Sequence, residues 1–243
     1  MTPIESNNRL GPRVIVALDF PVARLALDFT SRLDPGACRV KVGNELFTRA
    51  GPTLVQELVS RKFDVFLDLK FHDIPTTVSR ACAAAADLGV WMMNVHTLGG
   101  ARMLAAARES LEAAGGRRPL LVGVTVLTSL SDQDLPVVGL AANVTENVAG
   151  LANLARETGM DGVVCSSHEV QQLRSRHGAD FLLVTPGIRP LGGNVDDQQR
   201  VATPATALAA GADYLVIGRP ITQADNPMSV LLTINSEIAA LTG

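Results

Sequence analysis

Several kinds of chemistry are missing from this chain. Its three cysteines, Cys38, Cys82 and Cys165, are odd in number, far apart and never in a Cys-x-x-Cys pair. That argues against a disulfide framework and a thiolate zinc site, and leaves them as small buried hydrophobes. None of the four histidines is spaced His-x-x-x-His, so no metal site is expected. No apolar run reaches the ~18 residues of a membrane span. Residues 1–13 are polar and carry no apolar signal region. A soluble, cytoplasmic protein with no membrane partner is expected. The net charge of −3 offers no electrostatic footprint for nucleic acid. No Gly-x-Gly-x-x-Gly follows the first apolar segment, where Asp19-Phe20-Pro21 stands instead. A dinucleotide-binding open sheet is thereby disfavoured.

What is present is a regular alternation of two kinds of segment. The 243 residues are 47% apolar, enough for a large core. Valine- and isoleucine-rich runs predict strands over 13–19, 38–43, 64–70, 91–97, 119–127, 161–165, 181–185 and 214–218. Helical patterns follow each, over 22–33, 44–61, 76–88, 101–114, 144–158, 167–177, 204–210 and 227–241. Strands separated by helices pair in parallel. Eight such units in ~250 residues predict a single-domain (β/α)8 TIM barrel. The barrel is expected over residues 13–243, behind a flexible N-terminal arm of residues 1–12.

In such a barrel, chemistry gathers at the C-terminal ends of the strands. There the sequence places Asp19, Lys41, Asp68, Lys70, Asn94, His96, Thr125, Thr128, Ser129, Arg189 and Arg219. On a strand, Asp68 and Lys70 leave the same face, and Asp73 lies just beyond. Buried charges cost several kcal/mol each unless paired, so an alternating row of acids and amines points to chemistry. Taken alone, Asp19 could cap a helix and Lys41 could serve stability. His96 reads as a hydrogen-bonded core histidine. The loop over 185–200 holds Pro186, Gly187, Pro190, Gly192 and Gly193, and loops of that length inside a domain are usually functional. Phosphate often binds between the loops after strands 7 and 8. Gly218 would let backbone approach it, Arg219 would grip its oxygens, and Gln198 would add an amide.

The run Asp68-Leu69-Lys70-Phe71-His72-Asp73-Ile74-Pro75 closely resembles the signature of the orotidine 5′-phosphate decarboxylase family. Ala17-Leu18-Asp19, Lys41-Val42-Gly43, Val126-Leu127-Thr128-Ser129, Thr185-Pro186-Gly187-Ile188-Arg189 and Val216-Ile217-Gly218-Arg219-Pro220 follow in the expected order. Thr76 departs from the family, where asparagine is most often expected. The resemblance implies decarboxylation of a small-molecule nucleotide, orotidine 5′-phosphate, with no cofactor and no metal. It also implies a homodimer with sites near the subunit interface. Lys70 then resembles the proton donor, Asp68 the aspartate beside the departing carboxylate, and Lys41 the partner that orders the row. Asp19 resembles the ribose-binding residue. Asp73 and Thr77 match positions supplied by the neighbouring subunit, Thr128 and Ser129 face the pyrimidine, and Arg189, Gln198, Gly218 and Arg219 grip phosphate. Ile74 and Pro186 complete the substrate-binding set. The rival enzyme is a magnesium-dependent sugar-phosphate aldolase or decarboxylase on the same barrel. A catalytically silent nucleotide-binding barrel would need the phosphate set but not the charged row.

Overall fold

The computed structural model describes residues 11–113, 118–190 and 202–242, with Thr242 described by its backbone alone. Eight strands rich in β-branched residues form: β1 Val14–Ala17, β2 Arg39–Gly43, β3 Val65–Phe71, β4 Met92–His96, β5 Leu120–Val124, β6 Gly162–Val164, β7 Leu182–Thr185 and β8 Tyr214–Ile217. Helices return the chain after them: α1 Ala23–Thr30, α2 Asn44–Ser60, α3 Pro75–Asp87, α4 Gly100–Ala113, α5 Val144–Glu157, α6 Val170–His177, α7 Pro204–Ala209, α8 Arg219–Thr222 and α9 Pro227–Thr242. A helical return forces parallel pairing. The strands pair in chain order and β8 closes on β1, which makes a (β/α)8 barrel.

The period of two divides each strand between two cores. Val14, Val16, Val40, Val42 and Leu67 join the apolar layer beneath the helices. Ile15, Ala17, Phe66, Met92, Val122, Val184 and Val216 form a separate cluster inside the barrel. Apart from Ala17, each such side chain contributes ~1.5–3 kcal/mol when fully buried. The barrel is therefore filled through its middle, and the next inward positions up fall at its C-terminal mouth.

The opposite rim is sealed. Arg39 lies 4.1 Å over the Trp91 ring and 5.1 Å over Tyr214, and it pairs with Asp64 at 3.1 Å. Asp161 meets Arg118 at 2.7 Å and Asp213 meets Arg174 at 2.5 Å. Each of these two aspartates also accepts a backbone N–H from a neighbouring strand, Leu121 and Leu183 respectively. The aspartates at this rim thus act as strand-end locks.

All eight strand–helix units expected from the sequence are present, mostly trimmed by one to three residues at their ends. The helix expected over 44–61 contains a kink at Gly51 (φ 65°) and Pro52. Three short elements had no sequence signal: α8, and 3-10 turns at Thr97–Gly99 and Leu135–Val138. The three cysteines are buried and unpaired. Of the expected arm, only Gly11 and Pro12 are among the described residues. No described helix is long and apolar enough to cross a membrane.

Candidate active site

A cavity of about 320 Å³ opens at the C-terminal mouth of the barrel. Asp19, Lys41, Asp68, Lys70, Thr128, Pro186, Arg189, Gly218 and Arg219 all line it. Its floor is apolar: Ala17, Phe66, Val124, Val164 and Val216. This floor carries no polar side chain to mark it in the sequence. Period-two counting could have found part of it, since Ala17, Phe66 and Val216 each stand two residues below a polar or glycine position of the mouth.

The charged residues form one continuous row. Lys41 Nζ lies 3.5 Å from Asp19 Oδ1 and 3.2 Å from Asp68 Oδ2. Lys70 Nζ lies 2.7 Å from Asp68 Oδ1. Lys41 and Asp68 are nearly buried, with side chains 11% and 13% exposed, whereas Asp19 is 69% exposed. The inner pair is therefore shielded from water and salt, where charge acts over distance with least screening. Burial works to raise the Asp68 pKa, but Lys41 and Lys70, with hydrogen bonds from Lys70 and Asn94, more than offset it and hold the carboxyl below its ordinary value. Gly43 keeps room for the row, because a Cβ there would stand 3.1 Å from Lys41 Nζ.

The plain strand expected through Asp68 and Lys70 is modified. Pairing of β3 with β4 shifts register between Leu67 and Phe71, and Lys70 has φ 52°. A non-glycine residue in the left-handed region costs about 1–2 kcal/mol. The two side chains still emerge together, now from a bulged backbone. Asn94, fully buried on β4, spans the bulge. Its Nδ2 donates to Asp68 Oδ1 at 2.7 Å and its Oδ1 accepts from the Lys70 N–H at 2.8 Å. Asn94 was visible at a strand end but carried no charge to single it out.

Asp73, Ile74, Thr77 and Ser129 are exposed and do not line the cavity of this single chain. Asp73 Oδ1 accepts the Ile74 N–H at 2.6 Å, at the start of α3. Gln198 lies outside the described residues. Thr125 turns away from the cavity, with its hydroxyl on the Val164 carbonyl. Position 96, expected to hold a hydrogen-bonded core histidine, is half-buried, and His96 Nδ1 finds no hydrogen-bond partner among the described residues. Its ring lies 5.4 Å from that of His72. Burial first, then His72 and Lys70, push its pKa down, against an opposing pull from Asp68. The other end of the cavity is built by Arg189, after β7, and by Gly218 and Arg219, where β8 runs into α8. No group of histidine, cysteine, aspartate and glutamate among the described residues has the arrangement of a metal site.

Fold and cavity together define a (β/α)8 barrel with an alternating acid–amine row at its C-terminal mouth, beside arginines suited to an anion. Residues 12–234 match the Orotidine 5'-phosphate decarboxylase / HUMPS family. The chain belongs to that family. It is 56% identical over 227 residues to Orotidine 5'-phosphate decarboxylase of Hydrogenovibrio crunogenus, covering 93% of this chain and 96% of that one. It is 58% identical over 227 residues to the protein of the same name from Nitrosospira multiformis, covering 93% and 94%. The crystal structure of Orotidine 5'-phosphate decarboxylase from Lactobacillus acidophilus superposes with a TM-score of 0.84 at 41% identity, covering 93% and 98%.

Proposed function

We propose that this protein decarboxylates orotidine 5′-phosphate to uridine 5′-phosphate, the closing step of de novo synthesis of that nucleotide. The observation that carries the reading is the unbroken row Asp19–Lys41–Asp68–Lys70 in a cavity whose other end holds Arg189 and Arg219.

The C6–carboxylate bond breaks, carbon dioxide leaves, and the electron pair remains on C6 in the ring plane. It cannot delocalise into the π system, so it needs a nearby fixed cation. The Lys70 ammonium meets that need. It then gives a proton to C6 and recovers one from solvent. Preorganised charge of this kind is usually the largest catalytic contribution, and proton donation adds to it. Asp68, tied to both lysines, holds Lys70 in place and stands beside the departing carboxylate. Asp19 takes the ribose hydroxyls, and Thr128, in the cavity wall, faces the pyrimidine; Ser129 follows it outside the cavity of the single chain. Pro186, Arg189, Gln198, Gly218 and Arg219 take the phosphate, whose binding energy contributes to the reaction at the far end of the substrate.

The working unit in this reading is a cytoplasmic homodimer, each copy one catalytic domain over residues 13–243. Asp73, Ile74 and Thr77 then serve the partner's cavity. Support comes from their exposure, and from exposed Leu98, Leu127, Val137 and Val138 on the neighbouring loops after β4 and β5. The reaction uses no cofactor. The magnesium-dependent aldolase reading is not supported by the family match. Adding orotidine 5′-phosphate to the purified protein and following its ultraviolet absorbance tests the proposal. Conversion to uridine 5′-phosphate is expected, and an unchanged spectrum would refute it.

A further inference from the structure

We propose that Asn94 is the positioning residue of this site: one side-chain amide fixes both the Asp68 carboxylate and the left-handed backbone at Lys70. The proposal rests on the decarboxylation reading above. The register shift between Leu67 and Phe71 leaves Lys70 inside the bulge, outside the paired positions of β3 and β4. Asn94 Oδ1 takes the Lys70 N–H there, at 2.8 Å. The other end of the same planar group donates to Asp68 Oδ1 at 2.7 Å. That oxygen also accepts from Lys70 Nζ at 2.7 Å, while Oδ2 faces Lys41 Nζ at 3.2 Å. Both carboxylate oxygens are therefore held, and the backbone that aims Lys70 is held by the same residue.

Chemistry restricts what can stand at this position. The task needs one donor and one acceptor at opposite ends of a short side chain, which an amide provides. The flipped amide would set a carbonyl against a carboxylate and an NH2 against an N–H. A leucine would orphan the Lys70 N–H in the barrel interior. An aspartate would face Asp68 with like charge. Asn94 is fully buried, so water cannot substitute for it. The other titratable groups around Asp68 are Asp19 on the β1 side through Lys41, Lys41 on β2, Lys70 on β3, and His96 on β4 with His72 beside it.

Asn94→Asp and Asn94→Ala test the proposal, with wild type measured alongside. The first is isosteric and keeps an acceptor for Lys70 while losing the donor to Asp68. Both should lower kcat by about tenfold or more, while affinity for uridine 5′-phosphate changes less than about threefold. Asn94→Gln should not rescue, because its longer arm moves the amide. In carboxyl-carbon NMR the Asp68 side chain of the variants should titrate at higher pH than in wild type. A folded variant with kcat within about twofold of wild type and an unmoved Asp68 titration would overturn the proposal. Should the variants not fold, the wild-type side-chain amide decides: slow hydrogen exchange at Asn94 supports it, and rapid exchange overturns it. Wild type that binds uridine 5′-phosphate but never turns over orotidine 5′-phosphate defeats the functional reading itself.

Discussion

Lys70→Ala gives the sharpest test of the mechanism. The substitution removes the ammonium that sits 2.7 Å from Asp68 Oδ1 and leaves the rest of the cavity in place. Against an in-plane anion at ~4 Å and an effective dielectric near 20, that cation is worth about 4 kcal/mol. The charge effect alone predicts about a thousandfold loss of kcat. Losing the proton donor removes a further factor of about 10²–10⁴ taken alone. One group does both tasks, so the factors do not simply multiply, and about a thousandfold is the floor. Stopped or continuous ultraviolet assays with orotidine 5′-phosphate measure the turnover, and calorimetry with uridine 5′-phosphate confirms that the nucleotide site survives. Lys70→Gly extends the test. Glycine adopts φ 52° freely, so this variant should melt about 2–4 °C above Lys70→Ala while being equally inactive. A folded, nucleotide-binding Lys70→Ala that keeps more than about one hundredth of wild-type kcat would refute the reasoning.

Three further outcomes are expected. Arg219→Ala should lower kcat/KM by about tenfold to a hundredfold, the worth of hydrogen bonds to a charged group, and added inorganic phosphate should inhibit the variant less than wild type. Asp161→Asn cuts the lock between Arg118, Arg108 and the Leu121 N–H, and should cost about 2–3 kcal/mol at neutral pH, read as a melting point about 4–12 °C lower. Burial opposes, but the hydrogen bonds from Arg118 and Leu121 and both arginine charges hold the Asp161 pKa below 3.8; its stabilisation is therefore present above that pH and lost as pH falls through the folded value, so the melting-point gap should close in acid. Exhaustive chelation should leave turnover unchanged; loss on chelation with recovery on magnesium would return the aldolase-type chemistry to consideration.

The barrel was legible in the sequence because its signals repeat. Eight apolar runs separated by helical patterns leave few topologies, and the end of each run locates a rim residue. Asp19, Lys41, Asp68 and Lys70 were legible for the same reason: period two carries them inward past the apolar floor. What escaped depends on departures from that period. The bulge before Phe71 has no glycine or proline to announce it, since the left-handed residue is Lys70 itself. Asn94 is uncharged, so its importance emerges only when the bulge leaves an N–H in need of an acceptor. Short α8 escaped because Arg219–Thr222 is one turn long, below any periodic signal. The setting of His96 gave no signal either: its ring stands 5.4 Å from that of His72, and two imidazoles on different elements announce no contact in the sequence.

The placement of cost within the barrel separates its two ends. At the N-terminal rim every named aspartate meets an arginine, and Asp161 and Asp213 also satisfy a strand N–H, so these two charges are used to hold backbone. At the mouth the arrangement runs the other way. Lys70 stands in a left-handed conformation, Lys41 and Asp68 are almost buried, and His96 Nδ1 meets no partner among the described residues. Buried ion pairs of this kind are often no more stabilising than well-packed apolar residues of the same volume. A chain selected for stability alone has no use for them. Their compensation is electrostatic: because the protein has already fixed the charges, the reacting substrate does not have to reorganise its surroundings. The filled middle of the barrel, from Ile15 and Phe66 to Val184 and Val216, is what lets one end bear strain that the other end offsets.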